Sequence, residues 1–138
     1  MKNLTIVLFC IFYISQTNAQ DTNLIGTWNI IEFTVINGEN TNTSTEDILK
    51  ENKSVWDLTL FEDGTSSGTS NMRNGNMETH ESTWKTKNGN LTLTIKVDNR
   101  DIVIEYMYEI IDDILVLKRS NPAGTMQIIT KFKKGKKV

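Results

Sequence analysis

From Val55 to Lys133 the chain is divided repeatedly by short turn signals: Asp63-Gly64, Asn74-Gly75, Asn88-Gly89, Asp98-Asn99, Asp112-Asp113 and Asn121-Pro122-Ala123-Gly124. Asn, Asp and Gly tolerate the left-handed backbone that reverses a strand in two residues, so these pairs between alternating segments signal hairpins. The segments they separate alternate with period two. Trp56, Leu58 and Leu60 oppose Asp57 and Thr59, and Leu91, Leu93, Ile95 and Val97 oppose Thr92, Thr94 and Lys96. Ile102, Ile104, Tyr106, Tyr108 and Ile110 form one face of the next segment, with Val103, Glu105, Met107 and Glu109 on the other. Period-two alternation is the mark of a half-buried strand. Connections this short join antiparallel neighbours, because a parallel pair needs a crossover of a dozen residues or more.

The first strand runs Gly26 to Ile36 through Trp28, Ile30, Ile31, Phe33 and Val35. Its apolar parity slips. Trp28 and Ile30 share one face, whereas Ile31, Phe33 and Val35 share the other, which predicts a bulge or strong bend inside the strand. Asn37-Gly38 ends it, and a polar connection runs to Ser54. Within that connection Thr43 and Ser44 precede Glu46 and Asp47, a capping-box pattern that predicts a short helix over 45–52 in a lid-like loop. Polar segments 65–72 and 77–86, with 114–119 and 125–133, complete eight strands. A sequential antiparallel meander of eight twisted strands, each with one apolar face, closes into an all-β up-and-down barrel and removes its exposed edges. A two-sheet sandwich is the competing architecture, and it usually requires longer crossing connections.

Residues 1–19 combine Lys2, the apolar run Leu4 to Ile14 and small residues at Thr17 and Ala19. This is the pattern of a secretory signal peptide cleaved after Ala19, and the apolar run is too short to span a bilayer. The domain is then residues 20–138, expected to be secreted or periplasmic and monomeric. Its only cysteine, Cys10, falls in the signal segment, so the domain relies on its core rather than on disulfides. Lys and Arg number 15 against 17 Asp and Glu. This mild acidity argues against nucleic acid as a partner. The basic end of the chain, Lys131 to Lys137, is expected to be a solvated terminus.

Leu24-x-Gly26-x-Trp28 at the start of the first strand resembles the G-x-W signature of the lipocalins and their bacterial secreted relatives. Leu58-x-Leu60-Phe61-x-Asp63-Gly64-Thr65, Ser82-Thr83-Trp84 with Asn90-Leu91-Thr92-Leu93, and Tyr106-x-Tyr108-Glu109-Ile110 before Leu115-Val116-Leu117-Lys118 extend the likeness along the domain. The resemblance implies a lipocalin-like (calycin-type) barrel serving as a small-molecule-binding scaffold. It departs from the family in lacking a T-D-Y element and an arginine at the end of the last strand, where Lys131 or Lys133 is expected to cover Trp28.

Chemistry-bearing patterns are sparse. Gly64-Thr65-Ser66-Ser67-Gly68 matches the G-x-S-x-G nucleophile elbow, but a hairpin and a polar strand surround it instead of the strand-to-helix turn the elbow requires. His80 is the single histidine, so neither a tight metal site nor an acid–base pair is expected, and His80 itself is assigned to the strand surface. No enzyme activity, metal or cofactor is expected. The aromatic residues are more informative: Phe33, Trp56, Trp84, Tyr106 and Tyr108, with Met126, are the candidate lining of a ligand cavity, because such sites are mainly apolar with a few polar groups. Trp28 is assigned to closing the core. The leading expectation is a barrel binding a small apolar or amphipathic molecule. The alternative is a filled barrel acting as a non-enzymatic envelope or extracellular protein-interaction domain.

Overall fold

The structure, a computed structural model, describes residues 20–135; the expected signal segment and its cleavage site lie outside the described residues. Nine antiparallel strands and one short helix follow a 3₁₀ turn at Thr22–Leu24. They are β1 (Gly26–Asn37), β2 (Asn40–Ser44), α1 (Glu46–Glu51), β3 (Trp56–Leu60), β4 (Thr65–Ser70), β5 (Glu78–Lys87), β6 (Asn90–Val97), β7 (Arg100–Ile111), β8 (Ile114–Ser120) and β9 (Met126–Lys134). Strands β1 and β3 to β9 pair in sequence and β9 closes on β1, giving an eight-stranded lipocalin-like barrel. Among the described residues no helix is long and apolar enough to cross a membrane.

Turn chemistry sets the hairpins. Asn88 and Gly89 both have positive φ, as do Asp98 and Asn99, and Asp112 and Asp113. Two successive left-handed residues twist with the flanking strands, which is why Asn, Asp and Gly occupy these positions. The parity slip in β1 is a real irregularity: its register against β9 shifts between Ile30 and Glu32. Ile30 faces Phe132 before the shift and Phe33 faces Thr130 after it, so both halves keep a side chain on the inner face.

The connection 37–54 differs from the expected loop. Asn40–Ser44 forms a strand, β2, paired with the upper half of β1 from Phe33↔Ser44 to Asn37↔Asn40, with Thr34 and Thr43 hydroxyls bonded across it. The helix is present, but its N-cap is Thr45, which makes no side-chain cap, so the capping box does not form. Glu46 instead binds Lys50 at 3.0 Å and Lys133 at 2.6 Å. Hydrogen bonding to Lys133 and then Lys50 holds its carboxyl below the usual carboxylate range. The segment therefore packs on the barrel wall rather than acting as a cover.

The basic end, as far as Lys134, is part of β9 rather than a simply solvated terminus, and Lys136 and Lys137 lie outside the described residues. Lys131 pairs with Glu32 at 2.8 Å, Lys133 with Glu46, and Lys134 stands over Trp28. Inward parity on β9 runs through Thr130 and Phe132, which puts Lys134, and neither Lys131 nor Lys133, on the tryptophan.

Near the base the ring is hydrogen-bonded all the way round, from Gly26↔Leu60 through Thr86↔Leu91 and Ile111↔Ile114 to Trp28↔Lys134. Higher up it divides into three leaves. Pairing of β5 with β6 stops at Ser82↔Ile95, pairing of β7 with β8 stops at Met107↔Lys118, and β1 leaves β3 above Asn29↔Asp57 to pair with β2. Above these points the β6–β7 hairpin is bonded only to itself, through Val97↔Arg100.

Candidate functional site

The lower half of the barrel is filled. Leu24, Trp28, Leu60, Trp84, Leu91, Leu115, Leu117 and Phe132 form one buried cluster there. Both indole N–H groups are satisfied, Trp28 donating to the Leu24 carbonyl and Trp84 to the Phe61 carbonyl, each at 2.8 Å. Such partners let tryptophan sit in a core without an unpaired donor. The segment before β1 seals the base: Gln20 donates to the Trp84 carbonyl, the Asp21 amide donates to Thr86, and the Tyr108 hydroxyl donates to the Asp21 carboxylate at 3.0 Å.

Above this floor, between the three leaves, lies an open cup of about 480 Å³. Its size falls within the range of small-molecule sites, roughly 300–1,000 Å³. Its apolar walls are Trp56 and Leu58 on β3, Leu93 and Ile95 on β6, Ile104 on β7 and Ile128 on β9. Trp56 is fixed from behind by an edge-to-face contact with Phe132, ring centroids 5.1 Å apart.

Polar groups enter the cup at the seams between leaves. Glu78, His80 and Ser82 alternate inward on β5, beside the seam with β6, and His80 Nε2 lies 3.5 Å from Glu78. Ser82 shares a hydrogen bond with the buried Ser66. Tyr106 and Arg119 stand at the seam between β7 and β8, on adjoining strands just above the last β7–β8 pair. Burial pushes the Tyr106 hydroxyl above the usual tyrosine range, and the Arg119 guanidinium opposes that rise. Met72 and Arg73, in the turn between β4 and β5, rim the mouth.

Gly68 leaves a gap in the wall. It faces Leu58 and His80 from the middle of β4 and lines the cup. A Cβ built there meets nothing nearer than the Asp57 carbonyl at 3.8 Å, and its φ is not in the left-handed region. Any side chain placed at this position would project into the cup.

Of the aromatic residues expected to line a cavity, Trp56 and Tyr106 do so. Trp84 is core, at 3 % exposure. Tyr108 faces inward below the cup and anchors the base through Asp21. Phe33 and Met126 are half-buried on β1 and β9 and are not part of the lining. His80, expected on the strand surface, is exposed there, and because it shares the parity of Trp84 its exposed side chain stands at the rim of the cup. Arg119, Gly68, Ser70 and Ile104 were not anticipated. The available signal was parity alone: Arg119 continues the inward series Leu115, Leu117. Ser66 of the G-x-S-x-G pattern lies within β4 and is buried against Ser82, not displayed on a strand-to-helix turn.

No protein-family model matches the sequence, and no curated protein matches it. Among solved structures the chain is similar to a lipocalin-like protein from Bacteroides uniformis ATCC 8492, with 13% identity and a TM-score of 0.51, covering 82% of this chain and 99% of that one. A mutant of the fluorescent protein UnaG matches with 12% identity and a TM-score of 0.44, over 81% of this chain and 96% of that one. At this level of identity the likeness to the Bacteroides protein concerns architecture, and the fold is a lipocalin-like eight-stranded barrel.

Proposed function

We propose that the protein is a secreted, monomeric, non-enzymatic carrier that binds a small amphipathic molecule in the upper half of its barrel. The observation that carries this reading is the cup of about 480 Å³ standing on a filled floor, with mainly apolar walls and a few polar groups among them. Apolar area removed from water supplies most of the affinity, at roughly 25 cal/mol per Å² before the costs of association. The hydroxyls of Tyr106, Ser70 and Ser82 orient the ligand, since an unpaired polar group on the ligand would be penalised on burial. The three-leaf upper wall supports the same reading, because unpaired strand edges let the mouth widen without breaking the ring at the base.

Native mass spectrometry of the protein purified from its own source, beside a denatured sample, tests this. The expected result is an added mass present only under native conditions. A bare mass, together with no saturable binding of a neutral apolar dye, would overturn it.

A second reading rests on the outer face of β7, where Val103, Met107 and Ile111 are each more than half exposed at 58%, 58% and 51%. It makes that face a contact for a protein partner. Substituting all three by threonine would leave small-molecule binding intact and abolish association only if this reading holds.

A further inference from the structure

The polar groups at the mouth are unequal in charge, and the geometry points to an anionic ligand: an amphipath whose apolar body fills the cup and whose acid group sits at the seam between β7 and β8, held by Arg119. This rests on the cup being a binding site and adds the charge of what it binds.

Three observations carry it. First, Arg119 and Arg73 both line the cup, and among the described residues neither is paired with a carboxylate. The carboxylates of Glu32, Glu46 and Glu109 are all taken up by lysines elsewhere on the barrel. Second, the one carboxylate on the lining, Glu78, is on β5, three strands from Arg119 on β8, and is engaged locally. His80 Nε2 lies 3.5 Å from it, and the Asn74 side-chain amide donates to it at 3.2 Å. It neither neutralises Arg119 nor occupies the same seam. Third, Arg119 stands on the strand next to the buried hydroxyl of Tyr106, so a donor fork and an O–H donor converge beside the apolar wall of Ile104 and Ile128. Arg119 is exposed at the mouth, where its planar guanidinium fork can meet a carboxylate, sulfonate or phosphate ester in two bonds. The floor of Leu60, Trp84 and Leu91 stops the ligand body halfway down, which leaves the acid group at the level of Arg119 rather than at the base.

Two dyes of one skeleton separate charge from apolar fit. N-phenyl-1-naphthylamine is neutral, and 8-anilino-1-naphthalenesulfonate carries one added sulfonate. The expected result is saturable binding of both, with the sulfonate at least about tenfold tighter, the ratio typical of a hydrogen bond to a charged group. Arg119→Met should weaken the sulfonate about tenfold and leave the neutral dye unchanged, and Arg119→Lys should recover part of the loss. Raising the salt concentration should narrow the gap between the dyes. Equal affinity for the two dyes, or an Arg119→Met variant that weakens both alike, would overturn the anion assignment while leaving the cup in place. Failure of both dyes to saturate would overturn the cup and the assignment together.

Discussion

The Lys134 ammonium stands 5.0 Å from the centroid of the Trp28 ring and donates to the Ile25 carbonyl at 2.9 Å. One lysine thus ties the end of the last strand to the residue before the first, where the ring closes, and covers the Trp28 ring. A cation over an indole face is worth about 0.5–1 kcal/mol at an exposed site. Lys134→Met is expected to lower unfolding free energy by about that amount. Trp28→Ala, which empties the core below the cup, should cost about 3–5 kcal/mol. Denaturant unfolding of the two variants checks the order. Because Trp28 lies outside the cup lining, any Trp28 variant that still folds should retain dye binding.

The β6–β7 hairpin gives a prediction about motion. Above Ser82↔Ile95 and Met107↔Lys118 it is paired only with itself, and Ile102 on its inner face is 45% exposed. Backbone amides held by one neighbour exchange through local opening rather than global unfolding. Residues 96–104 should exchange hydrogen much faster than residues 91–93 and 115–117, and should gain protection when the cup is filled. Uniform protection along β6 and β7 would show that the leaves do not move independently.

Alkaline pH should destabilise the fold through its tyrosines. Burial raises the Tyr106 hydroxyl, and burial together with the neighbouring Asp21 carboxylate raises Tyr108. The folded state then keeps protons that the unfolded chain releases near pH 10, the ordinary tyrosine value. Stability from these groups is complete below the unfolded tyrosine value of about 10 and declines as pH rises from there through the raised folded values. Urea unfolding across that range should show the decline, and a Tyr106→Phe, Tyr108→Phe double variant should flatten it.

Much of this architecture is legible in the sequence. The eight ring strands follow from alternation punctuated by Asn-Gly, Asp-Asn and Asp-Asp turns, and the irregularity at Ile30 and Glu32 follows from the parity slip in β1. β2 is not legible, because Asn-Thr-Asn-Thr-Ser has no apolar face; it is a strand only because the upper edge of β1 offers it backbone partners. The short helix expected over 45–52 is present as Glu46–Glu51, but its capping box does not form, and Glu46 is engaged instead by Lys133, distant in sequence. The site was half visible for a related reason. Aromatic residues signal interior positions but not depth, so Trp84 and Tyr108 belong to the floor while Trp56 and Tyr106 face the cup. Charged and polar residues of inward parity, His80 and Arg119 among them, stay solvent-exposed in the folded barrel, so their residue type does not mark them as lining the mouth.

The most direct test of the central claim uses Gly68. Gly68→Phe adds a side chain that can only enter the cup, at a position where a Cβ has room and the backbone is unstrained. Replacing a strand glycine also removes a conformational cost of about 0.5–1 kcal/mol, so stability should be unchanged or higher. Titration of wild type and Gly68→Phe with N-phenyl-1-naphthylamine, beside their unfolding curves, is the measurement. The account predicts saturable binding to the wild type and its loss in a variant at least as stable. Undiminished binding by a folded Gly68→Phe protein would contradict it and place the ligand somewhere other than the barrel's upper half.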